Sequence, residues 1–367
     1  MTTTEPTGVA GAVLQAGDEY EALELLHRLG CTDGLPVVVP TPERVERMVV
    51  ASGLPGDVSL GAMGPNLGDC TVEKVAAAAV MAGCLPDHLP VVLAAVRAAM
   101  DPAFDLTELQ ATTHCIAPFL IVNGPARHAC GPIASGFGAL GPGHRANASI
   151  GRALRLCMIN IGGGRTGSSD MALLGHPGKF TFCMAEDEES SPFEPLHVSR
   201  GFAAEDSVVT LVGTEAPHSV IFVGDADDPT APDRLLRTLA LTLANVGSNN
   251  AHFGLGSAVV ILNPDHIAVL ARAGYDRARL CEALVERATN PRGLMHGLNP
   301  TMVRAGDPDE PVRAFRSPDS LVVMAGGGSG LYSMVLPSWG AGPHANPSVS
   351  AAIELDQACE IPGMSLS

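Results

Sequence analysis

Four consecutive carboxylates, Glu186, Asp187, Glu188 and Glu189, follow a short apolar run, Phe180 to Met184, that carries Cys183. A helix does not persist through "EDEESSPFEP", because like charges crowd it and two prolines interrupt it. If the carboxylates continue a strand, Glu186 and Glu188 face one side and Asp187 and Glu189 the other. A carboxylate turned inward needs a partner, and Lys179 and the arginines upstream are the available cations. Such pairing holds one carboxylate ionised while a more buried one keeps its proton, the division that general acid–base catalysis uses. Glu186, with Glu188 beside it, is the expected proton-moving group. Taken alone, the same run also describes a solvated acidic turn.

Upstream stands "GPGHRANASIGRALR". A glycine turn that opens a helix aims free N–H groups at an anion. Arg145 precedes the expected helix, Ala148 to Asn160, with Asn147 or Ser149 as its cap, and Arg152 and Arg155 lie on its early turns. Arg145 and Arg152 are read as a carboxylate or phosphate clamp, with Asn123 and Asn147 orienting the ligand by hydrogen bonds; pairing of the arginines with surface carboxylates is the plainer alternative. Two further glycine runs, "GGGRTGSSD" (162–170) and "AGGGSG" (325–330), allow close backbone approach. Gly326, Gly327 and Gly328 follow a strong strand, where ligands of open α/β sheets bind. Neither a phosphate-binding loop of the G-x-x-x-x-G-K-[ST] type nor a G-x-G-x-x-G dinucleotide turn accompanies the arginines.

His114, Cys115, His128 and Cys130 suggest a zinc site. The strand-like segment between the two pairs advances about 3.3 Å per residue, which separates them unless the chain folds back after Pro125. A reactive thiol at Cys115, Cys130 or Cys183, with a neighbouring histidine such as His114 holding a thiolate, is the reading preferred over metal. No cofactor is expected. Inert buried thiols are the alternative for each cysteine.

These groups need a frame. The chain has 367 residues, 46% hydrophobic and 17% charged, enough for a large core and about two domains. Residues 1–17 read as a flexible tail, 18–200 as an α/β domain with a glycine-rich middle, and 201–367 as a second α/β domain. Amphipathic helices are expected at 19–30, 42–53, 71–83 and 89–100, with buried strands over 34–41 and 117–125. The second half repeats the alternation, with strands near 206–213, 219–226, 257–262 and 319–325 and helices between them. The fold class is α/β or α+β with mixed sheets. "LIVNGPARHA" and "VVILNPDHIA" are faintly alike, consistent with an internal duplication.

A net charge of −17 argues against nucleic acid or an anionic membrane as partner. No apolar run is long enough to span a bilayer, no signal peptide is evident, and nine cysteines without paired spacing suit reduced thiols. A cytoplasmic location is expected.

Several stretches together resemble a bacterial family associated with small UGSC (seleno)proteins: "TDGLPVVVPTPERV", "VMAGCLPDHLPVV", "LIVNGP", "GPGHRANASIGRALRL", "GHPGKFTFCMAEDEESSPFEPL" and "VVILNPDHIAVLARAGYDRARL". They span most of the chain from Cys31 to Met324. The resemblance implies that Thr32, Asp33, Asn123, Arg145, Asn147, Arg152, Lys179, Glu186 and Glu189 belong to a shared surface. It also implies a small (seleno)protein as partner, with thiol or selenol redox chemistry. The chain departs from the pattern at Phe193, where the family tends to have tryptophan, and at "GGGSGLYS", where it usually carries Lys and His.

The expected function is a cytoplasmic enzyme acting on a small anionic, carboxylate-bearing metabolite, with Glu186 or Glu188 moving protons and Cys183 or Cys115 supplying a thiol. Three alternatives stand beside it: a cofactor-free lyase, isomerase or hydrolase with structural cysteines; a non-catalytic subunit of a thiol/selenol redox assembly; and a metal-dependent enzyme. Self-association into a homo-oligomer is left open.

Overall fold

The computed structural model describes residues 13–224 and 227–355. Among them are strands β1 (Ser59–Met63), β2 (Gly68–Thr71), β3 (Ala117–Asn123), β4 (Cys183–Ala185), β5 (Val208–Thr214), β6 (His218–Ile221), β7 (Ala258–Leu262), β8 (Thr289–Pro291), β9 (Pro311–Arg313), β10 (Leu321–Ala325), β11 (Tyr332–Leu336) and β12 (Val349–Ala352). β1 with β2 and β8 with β9 form two small antiparallel ribbons. The other eight build two four-stranded mixed sheets, ordered β12-β5-β3-β4 and β10-β7-β11-β6.

Alternation along each strand explains how the sheets stack. Phe119 and Ile121 of β3, Met184 of β4 and Val212 of β5 share one core with Val259 and Ile261 of β7 and Val322 and Met324 of β10. The residues between them, such as Leu120 and Val122, turn the other way, toward helices Val72–Ala82, Leu89–Met100 and Arg145–Asn160. On the second sheet Ala258, Val260 and Leu262 face helices Ala231–Leu243, Pro264–Arg272 and Arg277–Arg287. The fold is α/β with four layers, helix–sheet–sheet–helix. Strands covered on both faces read as continuous apolar runs, which is why they are legible in the sequence.

The two sheets repeat one pairing scheme. In the first, β12, β5 and β3 are antiparallel in turn and β4 is parallel to β3; in the second, β6, β11 and β7 are antiparallel in turn and β10 is parallel to β7. The faintly similar segments "LIVNGPARHA" and "VVILNPDHIA" occupy the equivalent strands β3 and β7. The outer strands are exchanged: β6 follows β5 in the chain but joins the second sheet, and the late β12 joins the first. The chain therefore does not part into two sheets at residue 200, since β5 and β12 complete the sheet begun by β3.

Local expectations meet mixed outcomes. Thr41 and Thr71 cap helices Pro42–Ala51 and Val72–Ala82 by accepting from Arg44 N and Lys74 N. Residues 34–41 form no strand and are largely exposed, because the segment finds no sheet edge and uses isolated contacts such as Val38 N to Met81 O. The helix expected from Ala148 begins at Arg145, and neither Asn147 nor Ser149 caps it: Asn147 is buried on its first turn. Of the expected tail, residues 1–12 lie outside the described residues, and Val13–Ala16 are exposed and irregular. Asp225 and Ala226, at the end of the strand expected over 219–226, also lie outside them. No helix among the described residues is long and apolar enough to cross a membrane.

Candidate functional site

Helix Arg145–Asn160 is the spine of the most polar cleft. Gly151 lets it press against the segment entering β4: a Cβ there would stand 2.6 Å from Phe182 N and 3.3 Å from Cys183 Cβ. That contact fixes how far Arg152 and Arg155 reach. The chain then leaves the helix through Gly162–Gly164 and closes a tight turn in which the Arg165 carbonyl accepts from Ser168, Ser169 and Asp170 N at 2.9–3.0 Å. The turn sets Asp170, only 4% exposed, beneath the helix.

Asp170 is the hub. Its Oδ2 accepts from Arg155 Nη1 at 3.1 Å and its Oδ1 from Lys179 Nζ at 2.9 Å. Lys179 also donates to Ile116 O at 3.2 Å, while its own carbonyl accepts from Arg155 Nε at 2.6 Å. Arg155 Nη2 is buried and has no partner. The facing wall is the segment Gly30–Asp33. Asp33 is held by Arg152 through two bonds of 2.8 Å, Arg152 reaches Pro36 O at 2.9 Å, and Arg165 Nη1 donates to Gly30 O. Gly30 is left-handed (φ +68°), and its bare Cα admits the Arg165 guanidinium, which would lie 3.0 Å from a Cβ. The cleft between them measures about 290 Å³ and is lined by Thr32, Asp33, Arg155, Arg165, Asp170 and Lys179 among others.

Burial raises the Asp170 carboxyl, but the hydrogen bond and charge of Lys179, with the charge of Arg155, outweigh it and hold the group below the usual carboxylate range. Burial and the charge of Arg155 lower the Lys179 ammonium against the opposing pull of Asp170, so this amine gives up its proton more readily than an exposed lysine. Burial lowers Arg155 as well. A larger, mainly apolar cleft of about 670 Å³ lies around Val13–Ala16, Leu25, Leu26 and Val39–Val45. Its cations are engaged, Arg44 by Glu19 and Val39 O and Lys74 by Asp69 O.

The acidic run lies elsewhere. Glu186 is fully buried just past β4, where Oε2 accepts from Asn123 Nδ2 (2.6 Å) and Leu196 N (2.7 Å), and Oε1 from Arg277 Nη2 (2.9 Å). Glu188 accepts from Asn123 Nδ2 at 2.9 Å and Gly124 N at 2.8 Å and pairs with Arg127 at 3.0 Å. Glu189 takes both Arg127 Nη atoms at 2.8 Å, and those bonds hold its carboxyl down at about 2. The expected partners were Lys179 and the arginines of the preceding glycine-rich segment; the actual ones are Arg127, further upstream, and Arg277. Both Glu186 oxygens, on the group expected to move protons, are occupied and closed to solvent. Asn123 Nδ2 likewise serves this network, while its buried Oδ1 has no hydrogen-bond partner among the described residues.

Arg145 and Arg152 form no clamp. Arg145 donates to Gly83 O at 3.0 and 3.2 Å, capping the end of a neighbouring helix, and Arg152 is committed to Asp33. Asn147 ties down the glycine-rich middle through Ala134 N, Ala134 O and Ala139 O. Gly326, Gly327 and Gly328 join the sheets: Gly326 N donates to Leu262 O, Gly327 N to Ser135 O, and Gly328 lies under the Phe137 ring.

Cys183 is buried in the core, where burial raises its thiol far above the ordinary range, so it is not a ready thiolate. Burial also raises Cys70 and Cys84 to about 12 and Cys281 to about 11. Cys115 is part-exposed, and its neighbour His114 pairs with Glu215 at 2.9 Å. β3 separates His114 and Cys115 from His128 and Cys130 at its other end. Among the described residues no group of three or more His, Cys, Asp or Glu is placed to hold a metal ion.

Of the residues expected to bind ligand, the cleft therefore gathers Thr32, Asp33 and Lys179. Asp170, Arg165 and Thr166 lie inside the "GGGRTGSSD" run, whose glycines drew attention ahead of its charged side chains; a lone buried Asp after a glycine turn was the available signal. Arg127 and Arg277 carried no such signal. Comparison with models of protein families finds no match, and comparison with curated proteins finds no relative.

Proposed function

We propose that this protein is an enzyme that binds a small anionic, carboxylate-bearing molecule in the cleft between Gly30–Asp33 and Arg165–Lys179 and moves a proton on it. One observation carries the reading: Arg155, with an unpartnered buried Nη2, and Lys179 converge on a small cleft around a single shared carboxylate, Asp170. Arginine suits a carboxylate by its planar fork of donors. A desolvated lysine beside another cation is a competent general base, and protonated it is a general acid. Asp170 positions both cations. Burial of most cysteines favours acid–base chemistry with structural thiols over a thiol nucleophile.

The test is deuterium incorporation from heavy water into a panel of small carboxylates, followed by proton magnetic resonance. At least one member is expected to exchange a C–H beside its carboxylate, and Lys179→Met to slow this by about a hundredfold or more. Absence of exchange or conversion across the panel, or equal rates in the variant, would overturn the reading.

A further inference from the structure

We infer that the ligand of this cleft is a small dianion, carrying two carboxylates or one phosphate group. The inference rests on the reading above and adds charge and size to it.

Charge is the first ground. Four cations, Arg152, Arg155, Arg165 and Lys179, surround the cleft, and two carboxylates, Asp33 and Asp170, answer them. Arg152 is matched one-to-one by Asp33. Asp170 is divided between Arg155 and Lys179 and neutralises one of them, and Arg165 meets only a backbone carbonyl. The surplus is two positive charges. The carboxy-terminal end of helix Arg145–Asn160 also approaches, since Ile159 lines the cleft, and its dipole subtracts about half a charge. More than one positive charge stays unanswered, in a chain whose net charge is −17. A local surplus against so strong an opposite background focuses doubly charged anions and leaves singly charged ones under-matched.

The second ground is the unpartnered guanidinium. Arg155 lines the cleft and is 7% exposed, and its buried Nη2 has no hydrogen-bond acceptor among the described residues. A buried donor on a charged group without an acceptor is costly, so an acceptor arriving from the cleft relieves that cost. Size is the third ground: a cleft of about 290 Å³ suits a small metabolite.

Calorimetric titration at low ionic strength tests this with succinate, glutarate, malate and inorganic phosphate against the monoanion butyrate. At least one dianion is expected to bind about tenfold or more tightly than butyrate, with an affinity that falls as salt is added. Arg165→Gln, an exposed change, is expected to remove most of that preference while butyrate binding barely moves. The preferred probe tells whether dicarboxylates or phosphates are the source of the dianion. Butyrate binding within twofold of every dianion overturns the inference and leaves the anion-binding reading standing. Binding by none of the probes, or binding unaltered in Lys179→Met, overturns both.

Discussion

Lys179 and Arg155 share one carboxylate: Asp170 receives Nζ at 2.9 Å on one oxygen and Nη1 at 3.1 Å on the other. Asp170→Asn leaves two buried cations facing each other. Unfolding by urea is expected to show a loss of about 3–5 kcal/mol, the scale for removing one member of a buried pair. Adding Lys179→Met should restore part of it, because the second change removes the repulsion. A double variant whose loss equals the sum of the two single losses would mean that the pair is not coupled.

Glu186 and Arg277 join the two halves of the fold at 2.9 Å. Glu186→Gln is therefore expected to lower stability by about 3–5 kcal/mol. Arg277→Met in the same chain should recover part of that loss, measured as a double-mutant cycle. A variant that keeps wild-type stability and loses only turnover would return Glu186 to the chemistry.

The thiols divide by burial. Alkylation of the native protein, read by mass spectrometry, is expected to label Cys31 and Cys115 ahead of Cys70, Cys84, Cys130, Cys157, Cys183 and Cys281. Cys183→Ser should keep turnover and cost about 1–3 kcal/mol, since a hydroxyl replaces a thiol in an apolar core. Loss of turnover with stability intact would contradict the structural role.

His88 makes stability depend on pH. Its ring is 1% exposed, accepts from Leu85 N at 3.2 Å and lies 3.3 Å from Ser149 Oγ. Burial first, and the charge of Arg145 second, lower it from 6.5 to about 4, with Asp87 opposing. The folded value is depressed, so the contribution is complete above 6.5 and is lost as pH falls from 6.5 toward 4, by at most about 3 kcal/mol. His88→Gln should flatten the urea midpoint over that window; an unchanged slope would place the dependence on other groups.

The sequence by itself determined most of the helices and the central strands β3, β5, β7 and β10. Continuous apolar runs read as strands covered on both faces, and the likeness of 120–129 to 259–268 marked equivalent strands of two matching sheets. Those signals are local, written within a few turns or pleats of one element. Tertiary structure alone decided which charges meet. Arg152 finds Asp33 across 119 residues and Glu186 finds Arg277 across 91, and neither partner bears a local mark of the other. Within the acidic run "EDEESSPFEP", Glu186 is the buried carboxylate and braces the two halves through Arg277. The cleft that could do chemistry forms where a glycine turn brings Asp170 under Arg155 and Lys179. Long-range ion pairing follows from how whole layers stack, so a one-dimensional pattern names the charged residues and leaves their partners to the fold.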